Sequence, residues 1–374
     1  METVAAIDHA TLNRQVMFGE SNGKIIWQPR IGCWYQDKMF EDGQLPAPYT
    51  GMSLHDIYRN LGCSARLYDF IHCFRKIEDP RITRETRQIN SADTETIVTT
   101  PVGTQRFVVH ESPNSWYKKK IKYWVETEEE LKVLIWRHEH TEWVWDQEKF
   151  ESMVQEFGDL GAPIVWTGRF GLQELLIDQM GIEKGIYAIF EMPDTVEAFL
   201  RASDIMHDRL LDVLVDCPVE IISLPSCLHG HTLSPDLFVK YHLPGYQWRC
   251  EKLHKAGKKV HSHWDGMVKP LLGYAQESGL DGLEALTPEP QGDMTLEDIK
   301  EALGDNMILV DGIPAVYFDE TYPLQTLIDS TKKIIDMFAP NLVLGISDEI
   351  SSHGDIERIR VVGDIVDEYN AAIA

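Results

Sequence analysis

Two histidines and an aspartate alternate along His261-Ser262-His263-Trp264-Asp265. Residues two apart in a strand share a face, so His261 and His263 point together, and Asp265 joins them if the strand continues. Imidazoles and a carboxylate on one face can coordinate a divalent metal, with His261 and His263 as its ligands. They can equally work as an acid–base pair, the carboxylate fixing the imidazole tautomer. A third reading is a hydrogen-bonded polar plug without chemistry. Seven of the fourteen histidines lie between His207 and His263, so the bias is regional.

Such residues must be held at the ends of regular elements. From about residue 158 the chain alternates short apolar runs with stretches of helical periodicity. Runs at Pro163–Gly168, Val219–Leu224, Lys259–Ser262, Gly282–Leu286, Met307–Val310 and Asn341–Gly345 read as strands. Stretches at Leu172–Met180, Thr195–Val215, Lys269–Glu277, Leu296–Leu303, Pro323–Phe338 and Asp355–Tyr369 read as helices. Ser234-Pro235 opens another by N-cap and Pro at the first position, and one more leads to Lys255. Thr295 and Asp355 suit helix N-caps. Strand alternating with helix implies parallel pairing and right-handed crossovers.

Adding Ile25–Gln28 and one strand near Ile97 to Val109 brings the count to eight. Eight favours a closed barrel over an open doubly wound sheet, and no G-x-G-x-x-G follows any of the strands. The expected fold is α/β, a single (β/α)8 barrel over 1–374 with an N-terminal β-containing extension, about 60–123, capping it.

Functional groups in such a barrel sit at the C-terminal ends of strands. Gln28 and Arg30 follow the first strand; Trp166 closes the next, and Arg169 follows it. His229 and His231 occupy the loop after Val219–Leu224; Asp311, and then Asp348 and Glu349, follow the last two strands. His229 and His231 are either solvated loop residues or proton donors. Asp348 or Glu349 can act as a general acid or a ligand. His138 and His140 flank Glu139 in a charged helix and read as a solvated face.

The chain of 374 residues has 60 acidic and 35 basic side chains, a formal net charge of −25. Such a surface repels phosphate backbones, which argues against nucleic acid and anionic membranes as partners. No stretch approaches the roughly 20 apolar residues of a membrane span. Met1 to Arg14 includes Glu2, Asp8 and Arg14 without an apolar core, unlike a signal peptide. Six cysteines, scattered with no C-x-x-C, read as free thiols of a reducing cytoplasm. Seven of ten tryptophans precede residue 146, most simply for packing. Lys118-Lys119-Lys120 reads as surface.

Leu233-Ser234-Pro235-x-x-Phe238 is followed by His254-x-x-Gly257-Lys258-Lys259-Val260-His261-Ser262-His263, then Gly279-Leu280-Asp281-Gly282 and Gly304-Asp305. With Pro101-x-Gly103-Thr104 in the first half, this wording resembles the uroporphyrinogen decarboxylase superfamily. The resemblance implies either cofactor-free decarboxylation of uroporphyrinogen or corrinoid-dependent methyl transfer, where zinc on a His-x-Cys pair and a distal Cys activates a thiol. This chain departs from both. His261-Ser262-His263 stands at the His-x-Cys position, and no cysteine follows Cys250; Ile346 and Ser347 occupy the distal neighbourhood. The Arg-rich N-terminal motif of the decarboxylases is replaced by Trp27-Gln28-Pro29-Arg30.

A third kind of member fits better: a methyltransferase that demethylates an aryl methyl ether and passes the methyl group to cob(I)alamin on a partner corrinoid protein, giving methylcobalamin. On that reading His231 or His229, Asp265 and Glu349 are the acid–base candidates. Gln28, Arg30, Trp166, Arg169, His261, Trp264, Asp311 and Asp348 line the substrate or corrinoid site. Zinc on His261 and His263 remains an option, and a homodimer is what the resemblance implies. The alternatives are a decarboxylase of a smaller acid and a non-catalytic tetrapyrrole-binding scaffold.

Overall fold

A computed structural model describes residues 7–373. The expectation of no signal peptide over Met1 to Arg14 falls partly outside that range. No described helix is long and apolar enough to cross a membrane. Seven parallel strands form one curled sheet: Ile26–Trp27 (β1), Ile164–Trp166 (β2), Ile221–Ser223 (β3), Lys259–His263 (β4), Gly282–Glu284 (β5), Ile308–Pro314 (β6) and Leu342–Ser347 (β7). From β1 the sheet passes to β7 and then back through β6, β5, β4 and β3 to β2. Apart from β4, which reads Lys259-Val260-His261-Ser262-His263, these strands are largely apolar because a parallel sheet is covered on both faces.

The two edges of the sheet share one stretch of chain. Ser64 N donates to Trp27 O at 3.0 Å, and Ile164 N donates to Leu67 O at 3.2 Å. The segment 64–68 therefore runs between β1 and β2, an arrangement consistent with a TIM-like barrel. The strand expected near Ile97 to Val109 lies elsewhere. Those residues belong to Asp93–Thr100 and Gly103–Ser112, the middle of a four-stranded antiparallel sheet with Thr83–Gln88 and Ser115–Lys122. Its strands alternate buried and exposed positions, or are exposed throughout as at Thr83–Gln88. That pattern suits a sheet with one wet face rather than a barrel stave.

Helices fall close to the sequence periodicity, with two instructive exceptions. The stretch at Leu172–Met180 begins as one α-helical turn and continues as a π-helix, Glu174–Gln179. Lys269–Glu277 breaks into two 3-10 pieces, because Pro270 and Gly273 both disfavour an α-helical interior. Leu296–Leu303 forms as read, with a reciprocal Thr295–Asp298 capping box. Asp355 caps no helix directly; the last one starts at Arg358.

Two apolar clusters bracket the sheet. The larger joins its outer face to the helices. The smaller unites Ile26, Ile164, Ile221, Ile308, Val310 and Val343 with Val16 and Met17 of helix His9–Phe18. This second cluster fills the sheet's concave side. Polar residues begin where it stops.

Candidate functional site

The first polar layer is built on an arginine. Arg66 Nη2 donates to Asp311 Oδ1 at 2.6 Å, and Nη1 to Glu284 Oε1 at 2.9 Å. Its Nε donates to Gln28 Oε1 at 3.1 Å, while Gln28 Nε2 donates to the Ala65 carbonyl at 3.0 Å. The Arg66 guanidinium is almost wholly buried, and Glu284 and Asp311 are fully so. Stranding one of these charges would cost about 3–5 kcal/mol, so the group stands or falls together. Asp311 follows the inward Val310, and regular alternation would turn it outward. Its φ of 86° lets it meet Arg66 instead. Gly345 makes room, since a Cβ there would lie 2.2 Å from Asp311 Oδ1.

The second layer holds the histidines. Register pairs His263 with Glu284 across β4 and β5, so the two side chains share a face. His263 Nδ1 lies 3.2 Å from Glu284 Oε1. A carboxylate only accepts, so Nδ1 carries the proton and Nε2 points onward. His261 sits a turn of the pleat deeper, its Nδ1 3.3 Å from Glu284 Oε2. Tyr68 donates its hydroxyl to the same Glu284 oxygen. Burial works against charge on Glu284, but Arg66 and then His263 outweigh it and hold the carboxyl well below its usual range. Burial and the Glu284 charge push the Tyr68 hydroxyl well up, so it stays a neutral donor. Trp166 is half-buried, its ring 4.8 Å from Tyr68 and 5.5 Å from His263, both edge-on.

The outer layer comes from loops. Ser226 N and Cys227 N both donate to the His263 carbonyl, at 3.3 and 3.1 Å. The loops after β3 and β4 are thereby zipped together, and Gly266 (φ 86°) lets them close: a Cβ would come within 3.2 Å of Leu228 O. Cys227 has a φ of 51°, a conformation non-glycine residues seldom take away from functional sites. Its Sγ accepts from Arg169 Nη2 at 2.7 Å, and Arg169 Nη1 also reaches Asp178 at 3.2 Å. Cys227, His263 and Asp265 each turn one metal-ligand atom to within 4.8 Å of the others. Asp265 Oδ1 is buried with no hydrogen-bond partner among the described residues. A thiolate, an imidazole and a carboxylate are all zinc ligands, so this donor set fits the metal that the sequence resemblance suggests.

On the other side Arg30 reaches Asp348 and, at 3.0 Å, Glu349. Glu349 Oε2 also accepts from Cys33 N at 2.6 Å. A carboxylate so occupied is poorly placed to give a proton.

Of the residues picked from sequence, Gln28, Arg30, Trp166, Arg169, His261, His263, Asp265, Asp311, Asp348 and Glu349 thus gather around one end of the sheet. His229 and His231 lie with their rings tilted at 49° and 5.3 Å apart in the neighbouring loop, with His231 exposed, and bond to none of the polar cluster. Trp264 turns the opposite way from His263. It is fully buried against Phe238 and donates to Tyr246 OH at 3.1 Å, so it belongs to the helix-facing core. Of the two histidines read as a possible metal pair, His261 faces Glu284, while His263 lies with Cys227 and Asp265. His138, read as solvated, is buried and bonds Glu174. Its spacing from Leu131 and Leu134 sets it on that helix's apolar stripe.

Sequence reading missed Arg66, Tyr68 and Cys227. Ala65-Arg66-Leu67-Tyr68 does alternate apolar with polar, the signal of an extended segment. Cys227 carried no signal, because its partners come from another loop.

No protein-family profile matches the chain, and no curated protein does. Among solved structures it is similar to a methyltransferase from Methanosarcina mazei, with a TM-score of 0.54 and 14% identity over 95% of this chain and 97% of that one. Likeness at such identity is likeness of fold, and the chain shares that methyltransferase's fold along nearly its whole length.

Proposed function

We propose that this protein is a methyltransferase that demethylates a small methoxy-aromatic donor, with cob(I)alamin on a partner corrinoid protein as the methyl acceptor. The fold is then a closed barrel in which segment 64–68 is the eighth stave. The observation that carries the reading is the pairing of an aromatic wall, Tyr68 and Trp166, with the His263–Asp265 face directly beside it. An aryl ring packs well edge-on or offset against such a wall. Its ether oxygen then lies within reach of His263 Nε2 and the Asp265 carboxyl, which are 3.7 Å apart.

The chemistry asks for little else. The methyl carbon–oxygen bond breaks and its electron pair stays on oxygen. The acceptor's electron pair forms the new bond to the methyl carbon. The phenolate oxygen must be neutralised as it leaves, and a positioned acid typically contributes about 10²–10⁴-fold. To be that acid His263 must carry a second proton, on Nε2, and give it to the oxygen as the bond breaks, the Glu284 carboxylate at Nδ1 stabilising the imidazolium beforehand. The six cysteines are free thiols, as a reducing compartment such as the cytoplasm would keep them.

A decarboxylase acting on an acid has less support. Arg30, Arg66 and Arg169 are the cations at this mouth, and each is already paired with Glu284, Asp311, Asp348, Glu349 or Asp178. The deciding experiment mixes the protein with cob(I)alamin and a panel of methoxy-aromatics under strictly reducing conditions. Methylcobalamin from at least one donor is expected; none from any donor sinks the reading.

A further inference from the structure

We infer that Cys227, His263 and Asp265 form a binding site for one divalent cation of the zinc type, with a fourth position open towards the donor. The site stands on geometry alone. Only the role of its open position, bearing the leaving oxygen in place of a proton, rests on the methyl-transfer reading.

The three residues come from two loops that the Cys227 N–H and His263 carbonyl lock together at 3.1 Å. Their ligand atoms already converge to within 4.8 Å, and His263 Nε2 to Asp265 Oδ1 is 3.7 Å. Zinc bonds of about 2.0–2.3 Å in a tetrahedron put neighbouring donors roughly 3.2–3.8 Å apart. The closer separation matches, and the widest asks for about an ångström of side-chain adjustment.

The surroundings are those of a metal site as well. A ligating imidazole characteristically donates its other N–H to a carboxylate, which fixes the tautomer and raises its basicity. His263 does this to Glu284 at 3.2 Å. A thiolate ligand is steadied by an N–H donor, and Arg169 supplies one to Cys227 at 2.7 Å. Asp265 Oδ1 is buried without any partner among the described residues, a cost that a cation would remove.

Charge favours a cation too. Three guanidiniums, Arg30, Arg66 and Arg169, face five carboxylates, Glu284, Asp311, Asp348, Glu349 and Asp178, before Asp265 is counted. Sulfur with imidazole selects zinc over magnesium or calcium, which prefer oxygen throughout. Three protein ligands with an open position is the pattern of a catalytic zinc site rather than a structural one. The sulfur arrives from the loop after the neighbouring strand β3, not from the β4 position that His-x-Cys spacing would suggest, so the sequence hides it.

Cobalt(II) added to chelator-treated protein tests the site without any turnover. One equivalent is expected to bind, with a near-ultraviolet thiolate-to-cobalt charge-transfer band that zinc displaces. Cys227→Ser should abolish the band and weaken binding tenfold or more, with folding checked by circular dichroism. His261→Gln should keep the band. No band in the unmodified protein at saturating cobalt overturns the proposal, as does a band that survives Cys227→Ser. Cobalt bound through Cys227 in a protein that demethylates nothing overturns the methyl-transfer reading and leaves the site standing; demethylation by metal-free protein overturns the role given to the open position and leaves the methyl-transfer reading standing.

Discussion

Among the described residues, a buried glutamate is met by buried histidine in two places. At the mouth of the sheet, His263 meets Glu284 at 3.2 Å. Under the π-helix, His138 Nε2 meets Glu174 Oε1 at 2.8 Å. Both glutamates resist the penalty of burial: Arg66 chiefly holds Glu284 down, and His138 chiefly holds Glu174, whose carboxyl is lowered to about 2. The difference lies beyond the imidazole. Ser203 and Gln179 complete the shell of Glu174. The far nitrogen of His138 meets no polar partner among the described residues, and its ring packs 5.6 Å from Phe199. The far nitrogen of His263 faces Asp265 and Cys227. One pair ends in core; the other opens onto Asp265 Oδ1, which has no hydrogen-bond partner among the described residues. A buried histidine–glutamate pair alone is therefore a packing device, and an unpartnered polar atom beside it is what marks chemistry.

That contrast can be broken most directly by exchanging each histidine for glutamine. His263→Gln should lower kcat/KM for methyl transfer by about 10²–10⁴-fold while the melting temperature stays close to that of the parent. His138→Gln should do the opposite. Equal losses of rate in the two variants would abolish the distinction.

Glu174→Ala comes next. It leaves His138 and Ser203 without their buried acceptor and should cost about 3–5 kcal/mol in urea unfolding. Glu174→Gln keeps two hydrogen bonds and should cost clearly less. A loss under about 1 kcal/mol for the alanine variant would mean that the π-helix region is not the stabilising member of the pair.

Acid should act on the core region through its neutral histidines. Burial lowers His207 and His242 to about 3 from 6.5. Below 6.5 the unfolded chain takes up protons that the folded one refuses, so stability falls as pH falls through the window between 6.5 and 3. Near pH 5 each contributes about 2 kcal/mol of loss. Glu174, lowered to about 2, adds a further loss only below 4.5, its ordinary value. Thermal melts from pH 7.5 to 5 should show the decline; a flat profile would place both histidines in wetter surroundings.

The smallest effect calibrates the rest. Thr295→Ala removes a helix cap remote from both pairs and should cost about 1 kcal/mol. Methyl transfer at temperatures well below melting should be untouched. A drop in rate there would show that activity follows global stability, and the His263 result would lose its meaning.

Much of the frame was legible in the sequence. Six strands after residue 158 fall within the predicted runs or extend them by a few residues, because apolar runs flanked by turns carry their own signal. His261 and His263 share a face simply because strand side chains alternate. Segment 64–68, which bonds to both edges of the sheet, was not legible in that place, since five residues with an arginine in the middle make no apolar run. The antiparallel hairpins around Pro101-x-Gly103 took its place in the count.

By itself the sequence determined the α/β alternation, the strand that bears the histidines and the helix caps at Ser234 and Thr295, all of which follow from contacts between near neighbours in the chain. Only the tertiary structure decided which histidine meets which carboxylate, that Arg66 rather than Arg30 lies at the centre, that Trp264 faces away, and that Cys227 closes on His263 and Asp265. These depend on strand register and on how two loops zip together. Neither leaves a periodic trace along one chain, because the partners lie tens to hundreds of residues apart.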